Sequence, residues 1–155
     1  MAFPSSSNST TPYLVLIILV FLQIIFGAFV SGLDAGKIYQ TWPLMGNTYF
    51  PDDLIILNIF DFAKFDNHSL VQFYHRNLAY LISIYIIFLA IYIFFSREQI
   101  LFKPIIILIS ILIVQIILGI LTLVSGLNIL LAASHQISSV ILILSSLNLY
   151  YLSIK

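Results

Sequence analysis

Four long apolar runs, separated by polar segments, organise this chain. They cover residues 13–31, 77–95, 104–124 and 127–154, and none of them contains Asp, Glu, Lys or Arg. About 20 apolar residues in helical conformation are enough to cross a bilayer, so each run predicts a membrane-spanning helix. Residues 70–76 extend the second helix at its start. We therefore expect helices over about 13–31, 70–95, 104–124 and 127–152.

The polar segments between these runs differ sharply in length. Residues 1–12 predict a short polar tail, whereas residues 32–69 form a long loop rich in Asp, Pro and Gly. A short segment, residues 96–103, joins the second and third helices. We place Pro104 at the first position of the third helix, where its missing N–H costs no hydrogen bond.

The basic residues suggest an orientation for the chain in its membrane. Arg97 and Lys103 lie in the short connection, and Lys155 ends the chain on the same face. The positive-inside rule therefore places this face, with both termini, in the cytoplasm or matrix. The long loop then faces the periplasm or intermembrane space, in a bacterial or mitochondrial inner membrane.

Composition supports the membrane assignment. Of the 155 residues, 61% are hydrophobic and only 8% are charged, whereas a soluble domain carries about 25% charged residues. The expected fold is all-α, an integral membrane four-helix bundle. A formal net charge of zero excludes a nucleic-acid partner attracted by a basic surface. Because the chain has no cysteine, any metal chemistry rests on histidine and oxygen ligands.

Two histidines inside the apolar runs are the main functional candidates, since ionisable groups in a membrane span are costly. The second and fourth helices run in the same direction across the membrane. At about 1.5 Å per residue, His75 lies about 9 Å and His135 about 10 Å below the outer end. Two level histidines on different helices fit a heme with two axial imidazoles, because bundle cores commonly hold cofactors. Small residues flank both histidines and leave room for a macrocycle: Ala79, Ala132, Ser138 and Ser139.

Other interpretations of the same residues stay open. Either histidine alone is as well explained as a core residue hydrogen-bonded to a neighbouring helix. A lone zinc or iron ion needs three or four ligands, often with a carboxylate, and the four runs contain no acid. Arg76 fits either a partner of a heme propionate or an interfacial side chain that reaches water. His68 fits a solvated loop residue.

Small-residue stripes on the first and third helices have a simpler explanation. They are Gly27 with Ser31, and Gln115 with Gly119 and Thr122. Close packing between membrane helices accounts for both stripes.

Several separated motifs resemble the C-terminal half of heme A synthase, in the cysteine-free form of mitochondria and alphaproteobacteria. They span most of the chain in the order of that family: GAFVSGLDAG at 27–36, TWPLMG at 41–46, FPDDL at 50–54, VQFYHR at 71–76, LGILTL at 118–123 and LAASHQ at 131–136. The resemblance implies one half of an eight-helix pseudo-twofold architecture. It also implies heme b as cofactor, with His75 and His135 as axial ligands of its iron.

The resemblance further implies an activity in cytochrome c oxidase assembly. The family oxidises the C8 methyl of heme O to the formyl group of heme A. The N-terminal half, with a second histidine pair and a loop glutamate, has no counterpart here, so we expect the chain to be part of an oxidoreductase. Asp34 is a candidate catalytic carboxylate, although a role in shaping the loop fits its GLDAG setting. The alternative function is a non-catalytic bis-histidine b-type cytochrome or an oxidase assembly subunit.

The expected partners follow from the resemblance to heme A synthase. They are the lipid bilayer, heme O and heme A as substrate and product, and either a chain that supplies the N-terminal half or further copies of this chain. A truncated gene product, one piece of a split enzyme and an oligomerising subunit are all compatible with the sequence.

Overall fold

The computed structural model describes residues 10–57 and 59–155, with the backbone alone for Ile59. Four α-helices cover Thr11–Gly32 (α1), His68–Ser96 (α2), Gln99–Val124 (α3) and Ile129–Ser153 (α4). Each helix is long and apolar enough to span a membrane, which confirms the predicted all-α integral membrane bundle. Residues 1–9 of the predicted polar tail lie outside the described residues.

Asparagine side chains set the start of the two helices that carry the candidate histidines. The side chain of Asn67 accepts a hydrogen bond from the backbone N–H of Leu70 at 3.0 Å. Asn128 does the same for Leu130, also at 3.0 Å. Such caps satisfy backbone donors that have no partner within the helix. As a result, α2 begins two residues earlier than predicted, at His68, and α4 two residues later, at Ile129.

The predicted start of the third helix is wrong by five residues. Helix α3 begins at Gln99, so Pro104 lies inside the helix rather than at its first position. Leu101 is fully buried and Pro104 is buried on the same face. Burial of Leu101 against the other helices extends the helix, although the proline leaves one backbone carbonyl without its usual helical partner. The connection from α2 to α3 is reduced to Arg97 and Glu98.

The helices pack in a closed ring in the order α1, α2, α3, α4. The main contacts are between α1 and α2, α2 and α3, α3 and α4, and α1 and α4. Helices α2 and α4 therefore lie on a diagonal of the bundle and run in the same direction. We call the end of the bundle that carries residues 33–67 the loop end, and the opposite end, where α1 begins and α4 finishes, the terminal end.

The main apolar cluster of the described residues lies toward the terminal end. Its fully buried members include Leu16 of α1, Ile86 of α2, Leu108 of α3 and Leu149 of α4. All of the core residues precede Gln23 on α1 and Gln115 on α3, or follow the candidate histidines on α2 and α4. The core thus stops below the level of the histidines.

The long loop covers the loop end of the bundle. After α1, a short 3₁₀ helix at Ala35–Lys37 packs against α1 and α2. Gly36 is buried there, and a Cβ on it would come within 2.9 Å of Leu127. Leu127 follows Gly126, whose φ of +73° forms the turn between α3 and α4. The loop therefore reaches across the bundle from the first pair of helices to the second.

Candidate functional site

Counted from the starts of their helices, His75 and His135 lie at similar depths on diagonal helices. His75 is seven residues past the first residue of α2, and His135 is six residues past the first residue of α4. At about 1.5 Å per residue, these positions are about 10 Å and about 9 Å along their helices. Both histidines lie between the apolar core and the loop that covers the bundle.

His75 is held against α1 by a glutamine and a glycine. The Nε2 of Gln23 donates to the backbone carbonyl of His75 at 3.0 Å and lies 3.4 Å from the Nε2 of its ring. A Cβ on Gly27, one turn further along α1, would come within 3.2 Å of the ring. The Nδ1 of His75 is buried without a hydrogen-bond partner. A buried polar atom in this state is unusual and needs an explanation.

His135 is held against α3 in a parallel way. Its Nδ1 lies 3.1 Å from the backbone carbonyl of Gln115, and a Cβ on Gly119 would come within 2.9 Å of the ring. Because a carbonyl only accepts, Nδ1 must carry the proton. This tautomer leaves a lone pair on Nε2, the arrangement typical of a histidine that binds a metal. The Oγ of Ser138 donates to the side chain of Gln115 and steadies that residue.

These contacts reveal a repeat that the sequence interpretation missed. The pentapeptides QIIFG at 23–27 and QIILG at 115–119 occupy equivalent positions on α1 and α3. In each, the glutamine contacts the histidine of the following helix and the glycine makes room for its ring. We explained Gly27 and Gly119 by helix packing alone, which was incomplete. The repeated pentapeptide is the sequence feature from which the shared role of these glutamines and glycines could have been predicted.

Arg76 anchors the covering loop above His75. Its two terminal nitrogens donate to the backbone carbonyls of Leu44 at 3.2 Å and Tyr39 at 3.0 Å. The carbonyl of Tyr39 also accepts from Gln72, one turn earlier on α2, at 2.9 Å. A guanidinium has five donors, so further N–H groups are available to an anion. Arg76 forms no ion pair with a carboxylate among the described residues.

The remaining two candidates lie apart from the histidine pair. Asp34 begins the first 3₁₀ helix with a φ of 54°, and its exposed carboxylate pairs with Lys37 at 2.8 Å. Asn67 caps the helix that starts at His68, whose side chain is exposed to solvent. Neither Asp34 nor His68 is among the hydrogen-bond partners of His75 or His135.

The donor set is suited to heme rather than to a single metal ion. Within residues 10–57 and 59–155, no group of three or more His, Cys, Asp or Glu side chains is arranged to hold an ion. A lone zinc or iron site needs at least three protein ligands. Heme iron takes four nitrogens from its own macrocycle and needs only two axial ligands. Two imidazoles, each with a glycine behind its ring, supply that number of ligands.

Comparison with known proteins gives a consistent result. Residues 2–147 match the COX15-CtaA family, described as cytochrome oxidase assembly protein. Heme A synthase of Wolbachia sp. subsp. Brugia malayi is 51% identical over 79 residues, which is 50% of this chain and 24% of the relative. Heme A synthase of Pelagibacter ubique is 46% identical over 71 residues, 46% of this chain and 21% of the relative.

A third relative shows the same partial coverage. Heme A synthase of Maricaulis maris is 51% identical over 67 residues, 43% of this chain and 19% of the relative. The matched segments thus cover a quarter or less of these relatives. The family match covers nearly the whole chain and confirms the resemblance found in the motifs. The chain belongs to the heme A synthase family of cytochrome oxidase assembly proteins.

Proposed function

We propose that this chain binds heme b between His75 and His135 and serves the oxidation of heme O to heme A. The observation that carries the proposal is the level histidine pair on diagonal helices, above a core that stops below it. When bound, heme b would supply one-electron redox chemistry between the site of heme O oxidation and an acceptor. The histidines would be the axial ligands of its iron.

The chain's own residues prepare the site for this role. The carbonyl of Gln115 fixes the tautomer of His135 and leaves Nε2 as its donor atom. Gly27 and Gly119 allow the rings to approach the helices behind them. Arg76 holds the loop over the site and retains N–H groups that would suit a heme propionate. Covering the site limits water, which strengthens these electrostatic interactions.

We assign heme binding and electron transfer to this chain, and not the oxidation of the methyl group. The hydrogen-bond partners of His75 and His135 include no carboxylate within the described part of the chain. The carboxylate of Asp34 is paired with Lys37 at the surface of the loop. The oxidation itself would then require a chain that supplies the N-terminal half, or another copy of this chain.

The proposal is tested by purifying the protein in detergent and analysing its pigment. We expect heme b with the low-spin spectrum of two imidazole ligands. His75→Ala and His135→Ala should each abolish that spectrum, whereas His68→Ala, at the exposed start of α2, should preserve it. A retained bis-imidazole spectrum in both single variants would overturn the assignment of the ligands.

A non-catalytic b-type cytochrome is the second candidate function. The absence of a carboxylate among the partners of the histidines favours it, because such a site binds heme without an obvious group for proton transfer. Co-expression with the N-terminal half of a relative separates the two. Conversion of added heme O to heme A, lost in His135→Ala, supports the first function. Heme b without any conversion supports the second.

We also propose that both termini face the cytoplasm or matrix. Arg97, Lys103 and Lys155 all lie at the terminal end of the bundle, and basic residues are retained on that side. A reporter that fluoresces only in the cytoplasm, fused after Lys155, should be active. Activity of a periplasm-specific reporter at the same position would reverse the orientation.

A further inference from the structure

We propose that Gln23 is a positioning residue for His75, accepting the ring Nδ1–H so that Nε2 is free for iron. The inference rests on the proposed heme ligation. In this arrangement, Gln23 on α1 would accept a hydrogen bond from His75, as the backbone carbonyl of Gln115 on α3 does from His135.

Two unpartnered polar atoms belong to residues that contact each other between α1 and α2. The Oε1 of Gln23 and the Nδ1 of His75 are both buried without a hydrogen-bond partner. The amide nitrogen of Gln23 faces the Nε2 of His75 at 3.4 Å. An amide N–H only donates, so Nε2 is the acceptor in this contact and Nδ1 carries the proton. The contacting pair therefore holds an unused acceptor on Gln23 and an unused donor on His75.

One reorientation of the imidazole satisfies both atoms. If the ring turns so that Nδ1–H donates to Oε1 of Gln23, the contact between Gln23 and Nε2 opens. The Nε2 lone pair then becomes available to iron. The second hydrogen bond of Gln23, to the backbone carbonyl of His75 at 3.0 Å, keeps the glutamine beside the ring during this change.

The second helix pair shows the same arrangement already formed. There, Nδ1 of His135 is bonded to the carbonyl of Gln115, and Nε2 has no partner among the described residues. The two glutamines occupy equivalent positions in QIIFG and QIILG. They differ in the group that we assign to the histidine. For Gln115 it is the backbone carbonyl, and for Gln23 it is the Oε1 of the side chain. This difference provides a matched control.

The experiment compares Gln23→Met with Gln115→Met in the full chain loaded with heme b. Both substitutions remove an amide and keep the length of the side chain, but only Gln23→Met removes a group that we assign to the imidazole. A histidine that donates to an acceptor is a more basic ligand. We therefore expect Gln23→Met to shift the midpoint potential of the heme to a more positive value, to change its low-spin EPR g-values and to weaken heme binding roughly tenfold.

The controls separate positioning from packing. Gln115→Met should shift the potential and the EPR g-values less than Gln23→Met does, because the backbone carbonyl that accepts from His135 is still present. Gln23→Glu keeps an acceptor oxygen but loses the N–H that donates to the carbonyl of His75, so it should bind heme more tightly than Gln23→Met. Equal shifts in both methionine variants would indicate general packing and overturn the inference, as would an unchanged potential and EPR spectrum in Gln23→Met. Absence of heme from the wild type would instead overturn the proposed function, and this inference with it.

Discussion

The two ends of the helix bundle are built on different principles. At the terminal end, large aliphatic side chains from all four helices are fully buried, among them Leu16, Ile86 and Leu108. At the loop end, the interior holds two histidines, two glutamines and two glycines at matching levels. The terminal end is held mainly by the packing of apolar side chains, and the loop end by polar contacts.

The difference follows from the membrane environment. Lipid is as apolar as leucine, so helices associate through close packing and through polar contacts rather than by excluding water. Packing of apolar side chains is the main contact at the terminal end, where the hydroxyl of Tyr85 also donates to the carbonyl of Pro12 at 2.8 Å. A site for a cofactor needs polar ligands held in position, and the contacts at the loop end hold each histidine against the neighbouring helix. We therefore expect substitutions at the two ends to have separable effects on stability and on heme binding.

The largest effect on stability should come from the terminal end. Leu108 is fully buried in the core, and Leu108→Ala should destabilise the bundle by about 2 kcal/mol, since it leaves a cavity between packed helices. We place the value at the low end of the usual range because the unfolded side chain in a membrane is still surrounded by lipid. Unfolding in mixed micelles with increasing SDS, followed by circular dichroism, measures the change.

The heme spectrum of the same variant tests whether the two ends are independent. We expect Leu108→Ala to retain the wild-type low-spin spectrum under conditions in which it is folded. A loss of heme in the folded variant would mean that the packed end also shapes the site, and the division into two ends would then fail.

The next largest effect should come from the glycines at the loop end. Gly119→Ala brings a Cβ to 2.9 Å from the ring of His135, and Gly27→Ala to 3.2 Å from the ring of His75. We expect heme binding to weaken roughly tenfold in Gly119→Ala, and less in Gly27→Ala. Heme titration of the folded proteins gives the dissociation constants.

A third glycine serves as the control for this series. A Cβ on Gly32, at the end of α1, would meet no atom within 4 Å, so Gly32→Ala should bind heme like the wild type. Equal affinities in all three variants would show that the glycines do not make room for the histidines.

The sequence was sufficient to predict the helices and the depth of the histidines. Both depend on simple quantities, the length of an apolar run and the rise per residue, and His75 and His135 are level in the structure as expected. The start of α3 was not predictable in this way. A proline at position 104 indicates a helix start, but the helix extends back to Gln99, where Leu101 is buried. The burial of Leu101 depends on which helices are neighbours, and the sequence does not show this.

The role of the glutamines was missed for a related reason. A glutamine in an apolar helix has no visible partner until the neighbouring helix is known. The contact of Gln23 with His75 joins residues that are 52 positions apart. Likewise, the hydrogen bonds of the Arg76 guanidinium to carbonyls of the loop were missed, and its role toward a heme propionate stays a prediction. Loop conformation is not encoded in hydrophobic periodicity.

A smaller effect is expected where the loop is attached to the site. Arg76→Lys replaces a fork that reaches Leu44 and Tyr39 with a single ammonium that cannot bond both carbonyls in the same way. Losing about 1 kcal/mol of hydrogen bonding should make local opening roughly fivefold more frequent. Hydrogen exchange of residues 39–45 measures this. Lys37→Ala, at an exposed ion pair, should leave the exchange of that segment unchanged, and equal acceleration in both variants would argue against an anchoring role for Arg76.

The smallest effect should be a pH dependence of the loop that arises at Asp53. Burial alone would raise the pKa of this carboxyl, but hydrogen bonds from Tyr39 and from Ser69, the latter at 2.7 Å, outweigh it and hold the pKa below its ordinary value. A carboxyl with a lowered pKa in the folded state contributes its full stabilisation above the unfolded value, about 3.9. The contribution is lost as the pH falls through the folded pKa.

Trp42, the single tryptophan of the chain, lies in this loop and provides the measurement. In the wild type, acidification below about pH 4 should protonate Asp53, release the loop from Ser69 at the start of α2, and change the fluorescence of Trp42. Asp53→Asn should lose that component of the titration, whereas Asp66→Asn, at an exposed position, should keep it. If the heme spectrum follows the same titration, the loop end responds as one unit, and if it does not, the attachment at Asp53 is independent of the histidine pair.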